Sequence, residues 1–202
     1  MSSSDIEAAF IEAAAADADG ISTAQNLSEA DDLTITGALA SGGSVTFDQP
    51  RNVTITSTGD DTGVTFTVTG TDETGAAQTE AITGVNAGAA TGTSYFATVT
   101  QIAASGATDG NVTAGSGSSI AAVIFRGPLR LRGIYVVNSG TAGTITFRQG
   151  SATGAVRMQY NTTGTDASTE YPSVPDYGIL FKEGGYVTYA QAALSSMTLF
   201  YS

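Results

Sequence analysis

The sequence contains no cysteine, no histidine and no tryptophan among its 202 residues. Without cysteine, the chain can form neither a disulfide nor a thiolate zinc site, and it has no thiol nucleophile. Without histidine, it cannot assemble a Ser-His-Asp triad. Because these absences remove the commonest catalytic and metal-binding chemistries, we expect a protein that is not an enzyme and needs no cofactor.

Charged residues are also scarce. They make up 13% of the chain, about half of the share of roughly 25% in globular domains. No apolar run approaches the roughly 20 residues that span a bilayer, so we expect no membrane partner. The first twenty residues are acidic and lack the basic start of a secretory signal, which predicts synthesis and assembly in the cytoplasm.

Basic residues are few and unevenly distributed. Residues 1–125 hold fifteen acidic residues and one basic residue, Arg51, whereas the chain from Arg126 onward holds six basic and four acidic residues. An acidic half repels nucleic acid, so we expect no such partner. In the second half, five arginines form either a basic interaction patch or a set of solvent-facing strand residues: Arg126, Arg130, Arg132, Arg148 and Arg157. They are also available to pair with acidic residues of a neighbouring subunit.

Apolar residues alternate with threonine or serine over most of the chain after residue 32. Val64, Phe66 and Val68 fall on one face of such a run, and threonines occupy the other face. This two-residue period predicts antiparallel strands with one buried face and one solvent-exposed face. Strands are predicted in the first half at 33–39, 44–48, 52–58, 63–70, 79–84, 94–104 and 111–114. Short strands joined by tight turns predict an all-β fold built of β-sandwich domains, immunoglobulin-like or jelly-roll-like.

The segment Gly-Ser-Gly-Ser-Ser at residues 115–119 is the predicted linker between two such domains. It lies close to the change in charge. We therefore predict an acidic β-sandwich domain over 31–118 and an aromatic-rich, slightly basic β-sandwich domain over 119–202. The aromatic residues of the second domain, among them Tyr171 and Tyr177, are predicted to be core or interface anchors.

Residues 1–30 are predicted to form an N-terminal helical arm, with a helix over 4–18. Ser4 and the glutamate three residues later fit a capping box. The apolar residues that share one helical face are Ile6, Phe10, Ile11 and Ala14. Because an isolated helix of this length is marginal in water, Phe10 and Ile11 are expected to dock. They would do so either on a partner subunit or beneath the first sheet of the same chain.

Two pairs of adjacent carboxylates lie in predicted hairpin turns: Asp60 with Asp61, and Asp72 with Glu73. Turn formation explains both pairs, because aspartate favours turns and a glycine follows each pair. Two other interpretations stay open. One is a Ca²⁺ site, for which Asp60 and Asp61 are the candidates, and the other is the acid–base pair of a glycosidase.

About half of the chain, residues 19–115, resembles a module that recurs in structural proteins of tailed bacteriophages. The landmarks are PRNVTI at 50–55, GDDTG at 59–63, FTVTGTD at 66–72 and IAASGA at 102–107. The end of the chain, GILFKEGGYVTYAQAALSSMTLFYS, is similar to small β-sandwich proteins of marine phages. The resemblance implies a place in the virion and no catalytic residue.

Within a phage particle, the role implied most directly is a capsid decoration or cement protein. Its partners would be the major capsid protein, other virion proteins and further copies of itself, with a trimer expected at three-fold positions. A head–tail connector and a tail or fibre protein are the alternative places. A carbohydrate-binding module for host attachment is an alternative of a different class, favoured by Tyr160, Tyr171 and Tyr177 beside a polar loop. A depolymerase is disfavoured because no sequence repeat is visible.

Overall fold

The structure, a computed structural model, describes residues 5–12, 14–164 and 168–202. Regular structure in these residues consists of β-strands and one short 3-10 helix, Gln191–Ala193, which confirms the predicted all-β class. The strands, numbered in chain order, are β1 (Glu7–Glu12), β2 (Asp17–Gln25), β3 (Ala40–Ser41), β4 (Ser44–Asp60), β5 (Thr65–Thr71), β6 (Ala77–Thr83), β7 (Asn86–Thr91), β8 (Phe96–Ala104), β9 (Val112–Phe125), β10 (Leu129–Asn138), β11 (Gly143–Gln149), β12 (Ala155–Thr162), β13 (Thr169–Glu170), β14 (Ile179–Phe181), β15 (Gly185–Ala190) and β16 (Leu194–Tyr201).

The chain divides into two compact units. We call residues 16–118 the acidic unit. We call residues 119–202, together with the described residues of 1–15, the aromatic unit. Hydrogen bonding groups the strands into one sheet of five strands and one of eleven, and β9 contributes residues to both units as the chain passes from one to the other.

In the acidic unit the strands follow the order β9-β4-β8-β5-β6, with β2 beside β9 and with β3 and β7 beside β4. Strand β5 shows the predicted alternation, since Phe66 and Val68 are fully buried while Thr67 is exposed. These side chains join Ile55 and Phe96 in the apolar core of the unit. The period-two pattern therefore predicts correctly which side chains of β5 are buried.

Two strand predictions in this unit differ from the structure. The runs at 44–48 and 52–58 belong to one strand, β4, whose register with β8 shifts between Thr46 and Arg51. The strand predicted at 33–39 is wrong, although Leu33 and Ile35 are buried there. This segment makes isolated backbone bonds, such as Leu33 N–H to the Ile102 carbonyl, rather than a ladder. Alternating burial therefore does not require strand pairing.

Residues 115–119, predicted to be a flexible linker, instead lie within strand β9, and the chain passes from one compact unit to the other within this strand, after Ser118. A Cβ atom on Gly115 would lie 2.1 Å from the Asp17 carbonyl oxygen, and one on Gly117 would lie 2.3 Å from Oδ1 of Asn52. Ser116 is buried, and its hydroxyl accepts the Asp17 N–H at 3.0 Å. The small residues are needed because neighbouring chain segments approach closely, and they do not indicate flexibility.

The helical arm is wrong as well. The predicted cap, Ser4, lies outside the described residues, but the chain from Glu7 to Glu12 is strand β1, and residues from Asp17 onward form β2. The spacing of apolar residues that fits a helical face also allows a strand that buries every second residue. Pairing with β16 satisfies the backbone of β1 and thereby favours the strand.

The aromatic unit contains the five-stranded sheet, in the order β1-β16-β10-β13 with β14 beside β10. Its other strands follow the order β12-β11-β15-β9. The apolar core of this unit includes the fully buried side chains of Leu131, Phe147 and Phe181, together with Met197. The five-stranded sheet carries most of the residues that the sequence indicates as an interface.

Candidate interaction surface

Strand β1 forms one edge of the five-stranded sheet. It pairs antiparallel with β16 along its whole length, from Glu7 opposite Tyr201 to Glu12 opposite Ser196. Along its other side, β1 has no pairing partner among the described strands. The N–H and C=O groups of such an edge can accept a strand from another chain.

The side chains of β1 point alternately to the two sides of the sheet. Ile11 is 4% exposed and packs in the core of the aromatic unit, whereas Phe10 is 66% exposed. A helix would place both residues on one docking face, but neighbouring residues of a strand point in opposite directions. Only Phe10 is therefore available to a partner.

The exposed side of β1 continues across the next two strands. Phe10, Thr198 and Tyr135 lie in register across β1, β16 and β10. Phe200 lies two residues beyond Thr198 on β16 and therefore points to the same side of the sheet. It pairs with Gly133, and a Cβ at this glycine would be 3.3 Å from Cδ2 of the Phe200 ring. Registered residues point to the same side, so these rings share one surface.

Tyr171, which directly follows β13, extends this surface. Its ring centroid lies 5.1 Å from that of Tyr135, with the planes inclined by 57°, a favourable tilted arrangement. Tyr171 nevertheless remains 74% exposed, and Phe200 remains 39% exposed. We call the surface formed by Phe10, Tyr135, Phe200 and Tyr171 the outer face. The sequence singled out Phe10 and Tyr171 as interface residues and placed Tyr135 and Phe200 only among the aromatic residues predicted to be core or interface anchors, because their positions depend on strand register.

The predicted arginines lie on or near the same sheet. Arg132 donates from Nε to the Ser202 hydroxyl at 3.0 Å, and Arg130 donates from Nη1 to the Tyr177 carbonyl oxygen at 3.1 Å. Tyr177 is 85% exposed, and Arg126 is exposed in the turn between β9 and β10. Arg130 and Arg132 thus combine partial exposure with fixed positions, as expected of side chains that face solvent or a partner.

Glu7 and Tyr201 link β1 to β16. They are direct neighbours in the antiparallel register, and the Tyr201 hydroxyl hydrogen-bonds to the Glu7 carboxylate. Partial burial, followed by the hydrogen bond and the negative charge of Glu7, raises the pKa of Tyr201 above its ordinary value of 10.0. The neutral phenol is therefore favoured at this position up to a higher pH than in an unfolded chain.

The candidate calcium ligands Asp60 and Asp61 do not lie in a hairpin turn, because β4 does not pair with β5. Asp60 is exposed, and its Oδ1 accepts bonds from the N–H and hydroxyl groups of Thr62 at 3.2 and 2.7 Å. Asp61 is fully buried, and its Oδ1 accepts the N–H of Asp109 at 2.8 Å. The structure thus brings to this pair a third aspartate that the sequence pattern did not indicate.

The second carboxylate pair does lie in a hairpin turn, between β5 and β6. Burial tends to raise the pKa of Asp72, but hydrogen bonds from the Thr74 hydroxyl and from the N–H groups of Ala76, Thr74 and Gly75 outweigh it and lower this pKa below 3.8. Asp72 accepts the Thr74 hydroxyl at 2.7 Å and the Ala76 N–H at 2.9 Å. These bonds explain Asp72 as a turn residue.

Within the described residues, no group of three or more acidic side chains is arranged to hold a metal ion. None of the helical structure described is long and apolar enough to cross a membrane. No protein-family model matches the chain, and a search of curated proteins finds no match either.

Proposed function

We propose that the protein is a non-enzymatic structural component of a tailed-phage particle. Its role would be that of a capsid cement or decoration protein that stabilises the head through contacts with the major capsid protein and with copies of itself. It would be assembled in the host cytoplasm and located in the virion. As a finer description of the fold, we propose that each unit is a β-sandwich of immunoglobulin-like or jelly-roll-like type.

The observation that carries this proposal is the outer face beside the edge of β1, which pairs with no other described strand on that side. Exposed apolar patches are a feature of interaction sites, and aromatic residues and arginine are enriched in protein interfaces. Phe10, Phe200 and Tyr171 are all substantially exposed on one sheet, and Arg132 lies on the strand that carries Tyr135. A partner that covers this face would bury several rigid rings, which lose little conformational freedom on binding.

The edge and the face support the same mode of assembly. A strand added along β1 would extend the five-stranded sheet through backbone hydrogen bonds and would also bring side chains against Phe10. The uneven charge of the chain adds a second attraction, because the acidic first half and the arginines of the second half can meet between neighbouring copies. Self-association through these features would also remove the aggregation hazard of an open edge.

The proposal is tested with the double variant Phe10→Ser, Tyr171→Ser. The matched control is Val156→Ser, which removes a side chain that is 49% exposed on β12, a strand of the eleven-stranded sheet. Light scattering measures the mass in solution, and co-sedimentation measures binding to phage heads that lack the protein. We expect the native chain and the control to form a trimer and to bind heads.

The double variant is expected to be a 20.3 kDa monomer that does not bind heads. A native protein that is monomeric and fails to bind heads contradicts the proposal, as does a double variant that retains both properties. If binding is to the neck or tail instead, electron microscopy of labelled particles will show it, and the role becomes that of a connector or tail protein.

Glycan binding for host attachment is the second candidate. It is favoured by Tyr171 and Tyr177, whose rings are 74% and 85% exposed and lie in the segment between β13 and β14. Such rings can stack on sugars. A glycan array with the native protein, Tyr177→Ser and Phe10→Ser separates the two functions. Only glycan binding predicts signals that are lost in Tyr177→Ser and kept in Phe10→Ser.

A further inference from the structure

Asp61 is a buried carboxylate in which only one of the two oxygens accepts a hydrogen bond from the described residues. It directly follows β4 and has no exposed surface. Oδ1 accepts the Asp109 N–H at 2.8 Å, but Oδ2 is buried and has no hydrogen-bond partner among the residues that the structure describes. Burial of an ionised carboxylate without compensation is strongly unfavourable, so this oxygen requires a proton, a water molecule or a cation.

The surroundings of Asp61 favour a cation. Asp109 lies in the loop that covers Asp61, and its Oδ2 accepts the Asp60 N–H at 3.3 Å. The loop is held close to the end of β4, because a Cβ on Gly59 would lie 1.2 Å from the Asp109 carbonyl oxygen. The Asp109 backbone therefore contacts the Asp61 carboxylate, and the Asp109 carboxylate contacts the Asp60 backbone.

Positive charge to balance these carboxylates is scarce in the acidic unit. Its one basic residue in sequence is Arg51, which is 4% exposed and donates to the Ser116 hydroxyl at 3.3 Å. No protein group bonds to Oδ2 of Asp61 in the described chain. A bound divalent cation would compensate the buried charge of Asp61.

We propose that Asp61 and Asp109 hold a Ca²⁺ ion, with Oδ2 of Asp61 as the buried ligand and the exposed Asp109 carboxylate as the outer ligand. Asp60 contributes charge rather than a ligand, because its Oδ1 already accepts two bonds from Thr62. Backbone carbonyls and water complete the shell. Ca²⁺ accepts such irregular sets of about six to eight oxygens, whereas Mg²⁺ requires a near-octahedral set.

The test uses the full chain after removal of metals with a chelator. Thermal unfolding and isothermal calorimetry are followed as CaCl₂ is added, with MgCl₂ as the comparison ion. The variants are Asp61→Asn, which keeps the shape of the side chain, and Asp109→Asn, at an exposed position that is not part of the core. Asp72→Asn is the matched control, since it removes a turn carboxylate whose bonds are satisfied by Thr74 and Ala76.

We expect millimolar Ca²⁺ to raise the melting temperature of the native chain and of Asp72→Asn, with a smaller effect of Mg²⁺. Asp61→Asn should lose the shift, and Asp109→Asn should bind Ca²⁺ about tenfold more weakly or worse. The proposal is overturned if Ca²⁺ leaves the native melting temperature unchanged. It is equally overturned if both site variants keep the shift, or if Asp72→Asn loses it as well.

An Asp61→Asn variant that is more stable than the native chain at every Ca²⁺ concentration would identify a protonated or water-bound carboxyl group instead. If Asp61→Asn fails to fold, Asp109→Asn still decides the outcome, because its side chain is exposed and its loss affects ion binding rather than packing. None of these results depends on phage assembly, so the site can fail while the proposed function stands.

Discussion

Replacement of Ile11 by alanine, compared with replacement of Phe10 by alanine, tests whether the first segment is a strand of the aromatic unit. Ile11 is 4% exposed and lies in the core, so Ile11→Ala removes buried methyl and methylene groups. Such changes cost about 2–5 kcal/mol in a core, and we expect the lower part of this range, about 2–3 kcal/mol, at an edge strand. Phe10 is 66% exposed, so Phe10→Ala should change the free energy of unfolding by less than about 0.5 kcal/mol.

The assay is thermal unfolding followed by circular dichroism, at a protein concentration low enough to keep the chain monomeric. For a chain of this size, the expected loss corresponds to a fall in melting temperature of about 4–12 °C for Ile11→Ala and almost none for Phe10→Ala. Hydrogen exchange should also accelerate at the amides that join β1 to β16 in the Ile11 variant. Equal losses in the two variants would refute the strand, because only a helix places both residues on one packed face.

Three further predictions concern single contacts. Ser57→Ala should be neutral or stabilising by up to about 1 kcal/mol, because the Ser57 hydroxyl is buried without a partner among the described residues. The control, Ser22→Ala, should lower the free energy of unfolding in urea by about 1–3 kcal/mol. The buried Ser22 hydroxyl donates to the Thr34 carbonyl at 3.0 Å and accepts the Gln25 side-chain amide at 2.6 Å. A Ser57→Ala variant that is less stable than Ser22→Ala would contradict this prediction. Gly115→Ala should destabilise by more than about 2 kcal/mol because its Cβ would meet a carbonyl oxygen at 2.1 Å, whereas Gly106→Ala meets nothing within 4 Å and should be tolerated. The pKa of Tyr201 is raised, so the stability that this group adds is present below pH 10.0 and is lost as the pH rises through the folded-state pKa. In urea unfolding at increasingly alkaline pH, the difference in stability between the native protein and Tyr201→Phe should therefore shrink. A difference that stays constant with pH would exclude this linkage.

The sequence predicts those parts of the fold that depend on local alternation. Phe66 and Val68 alternate with threonines, and β5 buries them as expected. The same rule cannot distinguish a paired strand from an extended segment, which is why Leu33 and Ile35 are buried without a ladder. Pairing depends on distant chain segments, and the local pattern carries no information about them.

Composition predicts local structure less reliably in segments that are rich in small residues. Gly115 and Gly117 resemble a flexible linker in sequence, but they occupy β9 because β2 and Asn52 leave no room for a Cβ atom. In the same way, the capping pattern before β1 predicted a helix, and pairing with β16 overrides it. Glycine-rich segments allow either close packing or flexibility, and only the neighbouring segments determine which one occurs.

The candidate surfaces depend even more on long-range pairing. Phe10 and Tyr135 share the outer face because β1 and β10 both pair with β16. Asp61 and Asp109 meet across 48 positions of sequence. A sequence pattern can indicate which residue types are unusual, such as adjacent aspartates or an exposed phenylalanine, but the register of the sheet determines which of them become neighbours.

The pairing of β1 with β16 has a consequence for synthesis. The first strand leaves the ribosome almost a whole chain length before the strand that receives it. At translation rates of about 5–20 residues per second, the interval is on the order of ten seconds. During this time the whole acidic unit, which lies between the two strands in sequence, is synthesised, while β1 still lacks the strand with which it pairs. Only a chain that extends through β16 can close the five-stranded sheet, so a chain that is cut before β16 would not present a complete outer face to its partners.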